Sequence, residues 1–370
     1  MPVNHYNPEV KMIVSEHDQP GDTLGKAAPL GYALLRKQKR IDLTAEVPLA
    51  RPLSLYIEPT NICNFKCIFC PESFVDYQEK SGGLSRLSLE DFALITEQIK
   101  DVGTAETINF YMMGEPFANK HLIYFIESAK QQGLGKKLIL TSNGSLLKPD
   151  KYAALCASGL DYLRISIYGP NESAHASNTK SPVKLSRIRD NVLGLRQFRD
   201  NQGCQKPYIY VKMIESKLPK ENQEFLETFC EVGDEVFLEP AMNWNDPAEG
   251  NLSQLTPSEL EQTGYFAHKK EACPLPFYTL VIHSDLKVSA CCVDWDKKTV
   301  VGDLRIQSLK EIWNGECLRQ LQIKHLEKRR DELEGCRNCT YLHTAPDNID
   351  SLLPEEYIAR TKRTSPHDGR

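Results

Sequence analysis

No run of about 18 apolar residues occurs anywhere in this chain, which leaves no segment long enough to cross a bilayer as a helix. Its start, Met1-Pro2-Val3-Asn4-His5, lacks the basic-then-apolar order of an export signal. A cytoplasmic protein with no membrane partner is expected. Positive charge is not in excess either, since 45 Lys and Arg face 50 Asp and Glu for a formal charge of -5. A general grip on nucleic acid needs a basic face, so no nucleic-acid partner is expected, and Lys328-Arg329-Arg330 reads as a solvated helix face. Repeats and low-complexity tracts are absent. So is a spread disulfide framework: the 12 cysteines include CxxxCxxC and CxxC clusters, a usage that points to a reducing compartment.

What is present is the material of a large enzyme. A chain of 370 residues with 41% hydrophobic content can bury a substantial core in one large or two moderate domains. From Leu53 onward, β-branched or aromatic runs alternate with amphipathic stretches. Leu53 to Glu58, Thr107 to Met112, Lys137 to Thr141, Asp161 to Tyr168, Tyr208 to Ile214 and Glu235 to Glu239 read as strands. Ser88, with Asp91 three residues on, opens a helix over Leu89 to Lys100. Repeated βα units predict an α/β fold, a parallel sheet with helices outside. Residues 1–52 form an N-terminal extension with an apolar-basic helix at Leu30 to Arg40, and 53–240 the βα body. Residues 241–346 form a second unit, with a linker at Asn243 to Asn251, a helix opened by Pro257-Ser258, and a hairpin of Phe277 to Ile282 with Lys287 to Ala290. A capping box at Ser308 to Glu311 opens a helix carrying Ile312, Trp313 and Leu318. Residues 347–370 form a peripheral tail.

Three cysteines, Cys63, Cys67 and Cys70, fall within eight residues just past the first strand. A tetrahedral zinc site or an ordinary electron-transfer cluster takes four protein ligands, so a tight group of three points to a 4Fe-4S cluster with one iron left open. Zinc and buried packing thiols are the other readings. The spacing, Phe69 before the last cysteine and the place at a strand end resemble the radical S-adenosylmethionine (SAM) superfamily. That resemblance implies a partial (β/α)6 barrel, with SAM held by its amino and carboxylate groups on the free iron.

Met113-Gly114-Glu115-Pro116 after the second strand resembles the family's glycine-glycine-glutamate-proline motif, with Met113 in place of the first glycine. Gly114 permits close backbone approach, and Glu115 or a carbonyl can accept from the SAM ammonium. Thr141-Ser142-Asn143-Gly144 resembles the ribose- and carboxylate-facing segment, and Ser166 matches the serine that faces SAM on the fourth strand. The resemblance thus places Phe69, Gly114, Glu115, Ser142, Asn143 and Ser166 around SAM. Lys212 on the fifth strand is expected to meet the SAM carboxylate or the substrate, whereas His175 reads as a solvated loop histidine.

A second set comprises Cys273, the pair Cys291-Cys292, and Cys336-Arg337-Asn338-Cys339. Together with Val301-Gly302-Asp303 and Ser308 to Asn314 it resembles the C-terminal SPASM/twitch modules of radical SAM enzymes. The twitch form, as in 2-deoxy-scyllo-inosamine dehydrogenase-like enzymes, fits better because no cysteine follows Cys339. It implies an auxiliary 4Fe-4S cluster on Cys273, Cys291, Cys336 and Cys339, with Cys292 the alternative to Cys291 and zinc the rival metal. Cys156, Cys204, Cys230 and Cys317 are expected to pack.

The resemblance implies reductive SAM cleavage to a 5'-deoxyadenosyl radical that abstracts a substrate hydrogen. A fully ligated auxiliary cluster then accepts an electron, which favours oxidation of a hydroxylated carbon in a sugar or aminocyclitol. A flavodoxin or ferredoxin-type protein supplies the initial electron. The alternatives are epimerisation or crosslinking of a ribosomally made peptide, for which about 50 residues before the barrel are too few to form a leader-binding winged helix, and a zinc-bearing binding protein without catalysis.

Overall fold

The protein is described by a computed structural model that covers residues 41–239 and 270–364. The expected Leu30 to Arg40 helix, the linker from Asn243 and the helix at Pro257 lie outside the described residues. Six strands follow the run of β-branched and aromatic residues: β1 (Ser54–Ile57), β2 (Ala105–Phe110), β3 (Gly135–Ser142), β4 (Tyr162–Ile167), β5 (Tyr208–Ile214) and β6 (Glu235–Glu239). Each pairs in parallel with its neighbour, as short strands separated by crossover helices must. The helices of this region are α1 (Leu43–Glu46), α2 (Tyr77–Lys80), α3 (Leu89–Val102), α4 (Leu122–Gln131), α5 (Tyr152–Ala157), α6 (Glu172–Thr179), α7 (Leu185–Asn201) and α8 (Pro219–Phe229).

Local chemistry explains where these elements begin and what they bury. Ser88 caps α3, its side chain accepting from the Asp91 amide at 3.0 Å. Phe92, Ile95 and Ile99 of α3 are buried, each side chain contributing at most about 1.5–3 kcal/mol. Every residue of β4 is buried, as expected of a central strand covered on both faces.

The second unit does not build a separate sheet. Strand β7 (Thr279–Ile282) pairs in parallel with β1 in the register Ser54 with Thr279 through Ile57 with Ile282, and β8 (Lys287–Ser289) and β9 (Val300–Asp303) continue antiparallel beyond it. One nine-stranded sheet results, in the order β6-β5-β4-β3-β2-β1-β7-β8-β9. The join is clamped by Glu58, whose carboxylate accepts from the Met113 amide at 3.2 Å and from the Ser284 amide and hydroxyl at 3.0 and 2.9 Å. Burial alone would raise that carboxyl, but bonds from His283 and Ser284 bring it below its ordinary value.

Two expectations change here. The helix opened by Ser308, with the full capping box formed, breaks at Asn314-Gly315 into α9 (Leu309–Trp313) and α10 (Glu316–Leu326). The tail is not peripheral: α11 (Pro354–Thr364) buries Tyr357 in a cluster with Leu43, Val47 and Phe277, and Arg360 donates to the carbonyls of Thr44 and Val47. Among the described residues no helix is long and apolar enough to cross a membrane.

Candidate active site

The loop after β1 brings Cys63, Cys67 and Cys70 to one cavity of about 780 Å³. Its backbone is hung on neighbouring elements. The amides of Lys66 and Ile68 donate to the carbonyls of Thr179 and Asn178 at the end of α6, each at 2.9 Å, and Cys70 closes a turn onto the Cys67 carbonyl. Burial pushes all three thiols up, Cys70 to about 12, and the neighbouring thiols add to this at Cys63 and Cys67. Three thiolates at one wall therefore require positive charge, which is the donor chemistry of an iron centre.

Gly114 meets the loop itself. It sits at φ 71, and a Cβ there would lie 2.4 Å from the Thr60 carbonyl oxygen and 2.8 Å from the Ile62 nitrogen. The close approach it permits is therefore of the cysteine loop's backbone, whose Ile62 carbonyl accepts from the Glu115 amide at 3.0 Å. Gly114→Ala is expected to cost about 1–3 kcal/mol through overpacking and about 1–2 more for the left-handed backbone, with reduced iron uptake at this loop. Thermal unfolding and iron content check it; wild-type values for both would contradict the role.

Glu115 likewise serves the scaffold. Its oxygens accept from the Phe117 amide at 3.1 Å, the Ser142 hydroxyl at 2.7 Å and the Asn143 amide at 2.7 Å. Burial raises its carboxyl to about 7, against those bonds. Asn143 reaches back to the loop, donating to Asn64 at 3.1 Å and to Cys63 Sγ at 3.9 Å. Ser166 lines the same cavity beside Tyr168, whose ring lies 5.3 Å from that of Phe69. Lys212 also lines it, with Nζ 2.5 Å from Glu239, which pairs in turn with Arg164 at 3.2 Å. The structure thus gathers Cys63, Cys67, Phe69, Cys70, Gly114, Glu115, Ser142, Asn143, Ser166 and Lys212 around one space. His175 departs from expectation: it lies on α6, fully buried, with its ring 5.7 Å from that of Phe65.

The second constellation forms at the far side. Burial raises the thiols of Cys273, Cys291, Cys292 and Cys336, and Cys339 lies near enough to add to the rise at each. The pair divides in direction. Cys292 faces the cavity, where Tyr341 and Tyr56 hydrogen-bond it, while Cys273 and Cys291 are not part of that wall. Arg330 is no solvated face, since it donates to the carbonyls of Cys336 and Cys339 at 2.9 Å each and so fixes the CxxC turn. Among the described residues no three His, Cys, Asp or Glu side chains are placed to share one metal ion; a multi-iron centre takes one thiolate per iron and needs no shared point. Cys204 and Cys317 are exposed rather than packed. Tyr56, Tyr168 and Arg330 carried no sequence signal beyond their strand or charge run.

A family model for the radical SAM superfamily matches residues 57–201, and the SPASM model, an iron-sulfur cluster-binding domain, matches residues 273–340. The probable GTP 3',8-cyclase of Saccharolobus islandicus is 34% identical over 121 residues, covering 32% of this chain and 36% of that protein. The PqqA peptide cyclase of Rhodopseudomonas palustris is 28% identical over 118 residues, covering 32% and 29%. This chain thus spans only about a third of the length of the curated relatives it matches. Among solved structures, BtrN in complex with AdoMet and 2-DOIA has a TM-score of 0.54 at 16% identity, covering 82% of this chain and 97% of that one. SuiB of Streptococcus suis bound to precursor peptide SuiA has a TM-score of 0.53 at 13% identity, covering 82% and 76%. At these identities the likeness is one of fold. The radical SAM domain implies a 4Fe-4S cluster and SAM, and the SPASM domain implies auxiliary iron-sulfur clusters.

Proposed function

We propose that this chain, which carries a radical SAM domain followed by a SPASM domain, is an enzyme that oxidises a hydroxylated carbon of a sugar or aminocyclitol-like molecule. Cys63, Cys67 and Cys70 would hold the SAM-binding 4Fe-4S cluster. Phe69, Gly114, Glu115, Ser142, Asn143, Ser166 and Lys212 would frame SAM, and Cys273, Cys291, Cys336 and Cys339 would hold the auxiliary 4Fe-4S cluster. When bound and reduced by a flavodoxin or ferredoxin-type donor, these cofactors supply a hydrogen-abstracting 5'-deoxyadenosyl radical and an electron acceptor.

The observation that carries this reading is that a single cavity has the first cysteine triplet in its wall and Cys292, the chain neighbour of Cys291, in the same wall. A substrate there lies between the two centres. The intervening wall is mainly apolar but carries several polar groups, including Ser54, Asn109, Tyr111 and the Arg164–Glu239 pair, which suits a small hydroxylated molecule oriented by a few hydrogen bonds. Its volume falls in the roughly 300–1,000 Å³ range of small-molecule sites. The chain's own contribution is to orient the substrate and exclude water.

The likeness to BtrN, solved with 2-DOIA, supports the small-molecule reading. SuiB with its precursor peptide keeps peptide modification as the alternative. Turnover of a polyol and aminocyclitol panel against a peptide panel, following 5'-deoxyadenosine and product together, separates them. Oxidised polyol is the expected product. Turnover of peptides alone would replace the substrate class, and colourless protein lacking iron after anaerobic purification would remove the enzyme reading.

A further inference from the structure

Helix α10 buries a side chain that the proposed chemistry leaves unused. His325 is 1% exposed, and its Nδ1 accepts from the backbone amide of Cys273 at 3.4 Å. An imidazole that accepts at Nδ1 carries its proton on Nε2. That Nε2 is buried and has no hydrogen-bond partner among the described residues. A buried N–H left unmet is costly enough that native proteins rarely tolerate it, so an acceptor from outside the described residues belongs beside it. Its ring is tied to Cys273, a cysteine of the second constellation.

We propose that His325 Nε2 donates a hydrogen bond to a sulfur of the auxiliary iron-sulfur centre and raises that centre's reduction potential. The proposal rests on the reading that Cys273, Cys291, Cys336 and Cys339 hold the centre. A donor to a cluster sulfur stabilises the added negative charge of the reduced state, and such bonds are among the features that set cluster potentials. The centre thereby becomes a better acceptor for an electron from the substrate.

The test uses full-length protein in which Cys63, Cys67 and Cys70 are alanine, so that only the auxiliary centre titrates. In this background His325→Leu is expected to lower the midpoint, read by spectroscopic redox titration, by the equivalent of at least a tenfold change in the ratio of reduced to oxidised centre, about 59 mV for a one-electron couple. His325→Gln, which retains an N–H, is expected to recover part of the shift. With 15N-labelled histidine, the reduced centre should show a weak nitrogen coupling that either variant changes. If His325→Leu fails to take up iron, the labelled parent and His325→Gln decide the question. An unmoved midpoint at full iron content, or no histidine coupling in the parent, overturns the proposal. A parent that holds no iron at all overturns instead the assignment of the four cysteines.

Discussion

Replacing Cys63, Cys67 and Cys70 together with alanine is expected to leave about four of about eight irons per chain, as two cubanes require, and to abolish formation of 5'-deoxyadenosine. The loss should be complete rather than graded, because the three thiols share one loop and one cavity wall and no other cysteine lies in that loop. The fold should survive. The loop is held by backbone bonds to Thr179 and Asn178 and by the Glu115 amide on the Ile62 carbonyl, none of which uses a thiol. Iron content, thermal unfolding and 5'-deoxyadenosine yield, measured on one preparation, check the claim. A triple variant that still cleaves SAM would place the reactive centre elsewhere.

Replacing Cys336 and Cys339 is expected to have the opposite signature: SAM cleavage continues while oxidised product is suppressed. These two cysteines belong to the far constellation, with Arg330 on their carbonyls, so the first site keeps its ligands and its cradle. If the substrate radical cannot pass its electron onward, each 1.36 kcal/mol added to that step slows product formation about tenfold. Single-turnover assays following product and 5'-deoxyadenosine together give the relevant ratio. A double variant that keeps the wild-type ratio contradicts the electron-acceptor role and favours epimerisation or another self-contained rearrangement.

Much of this arrangement can be read from local sequence, and the rest depends on partners that sequence does not name. The runs at Tyr208–Ile214 and Glu235–Glu239 form strands with those very bounds, because β-branched and aromatic side chains suit a covered pleated surface. Ser88 and the Ser308–Glu311 box cap helices as their side-chain chemistry dictates. The parallel pairing of β7 with β1 was not legible, since periodicity reports which face is buried and says nothing of the neighbour. Arg330 sits in a basic run that reads as solvated, yet the chain turns after α10 and brings it under the CxxC carbonyls. His175 lies in a polar stretch from Asn171 to Asn178 but is buried against Phe65. Gly114 and Glu115 stand out in the sequence through the family resemblance, whereas their service to the cysteine loop and the Ser142-Asn143 turn depends on contacts between segments distant in the chain.

The centre expected on Cys63, Cys67 and Cys70, and not the auxiliary one, is predicted to bind SAM. Electron paramagnetic resonance of the anaerobically reduced protein before and after adding SAM measures this directly. The predicted result is two cluster signals, of which SAM alters one, the altered signal being the one missing from the triple alanine variant. A SAM-dependent change that persists in that variant, or wild-type spectra that SAM leaves untouched, would contradict it.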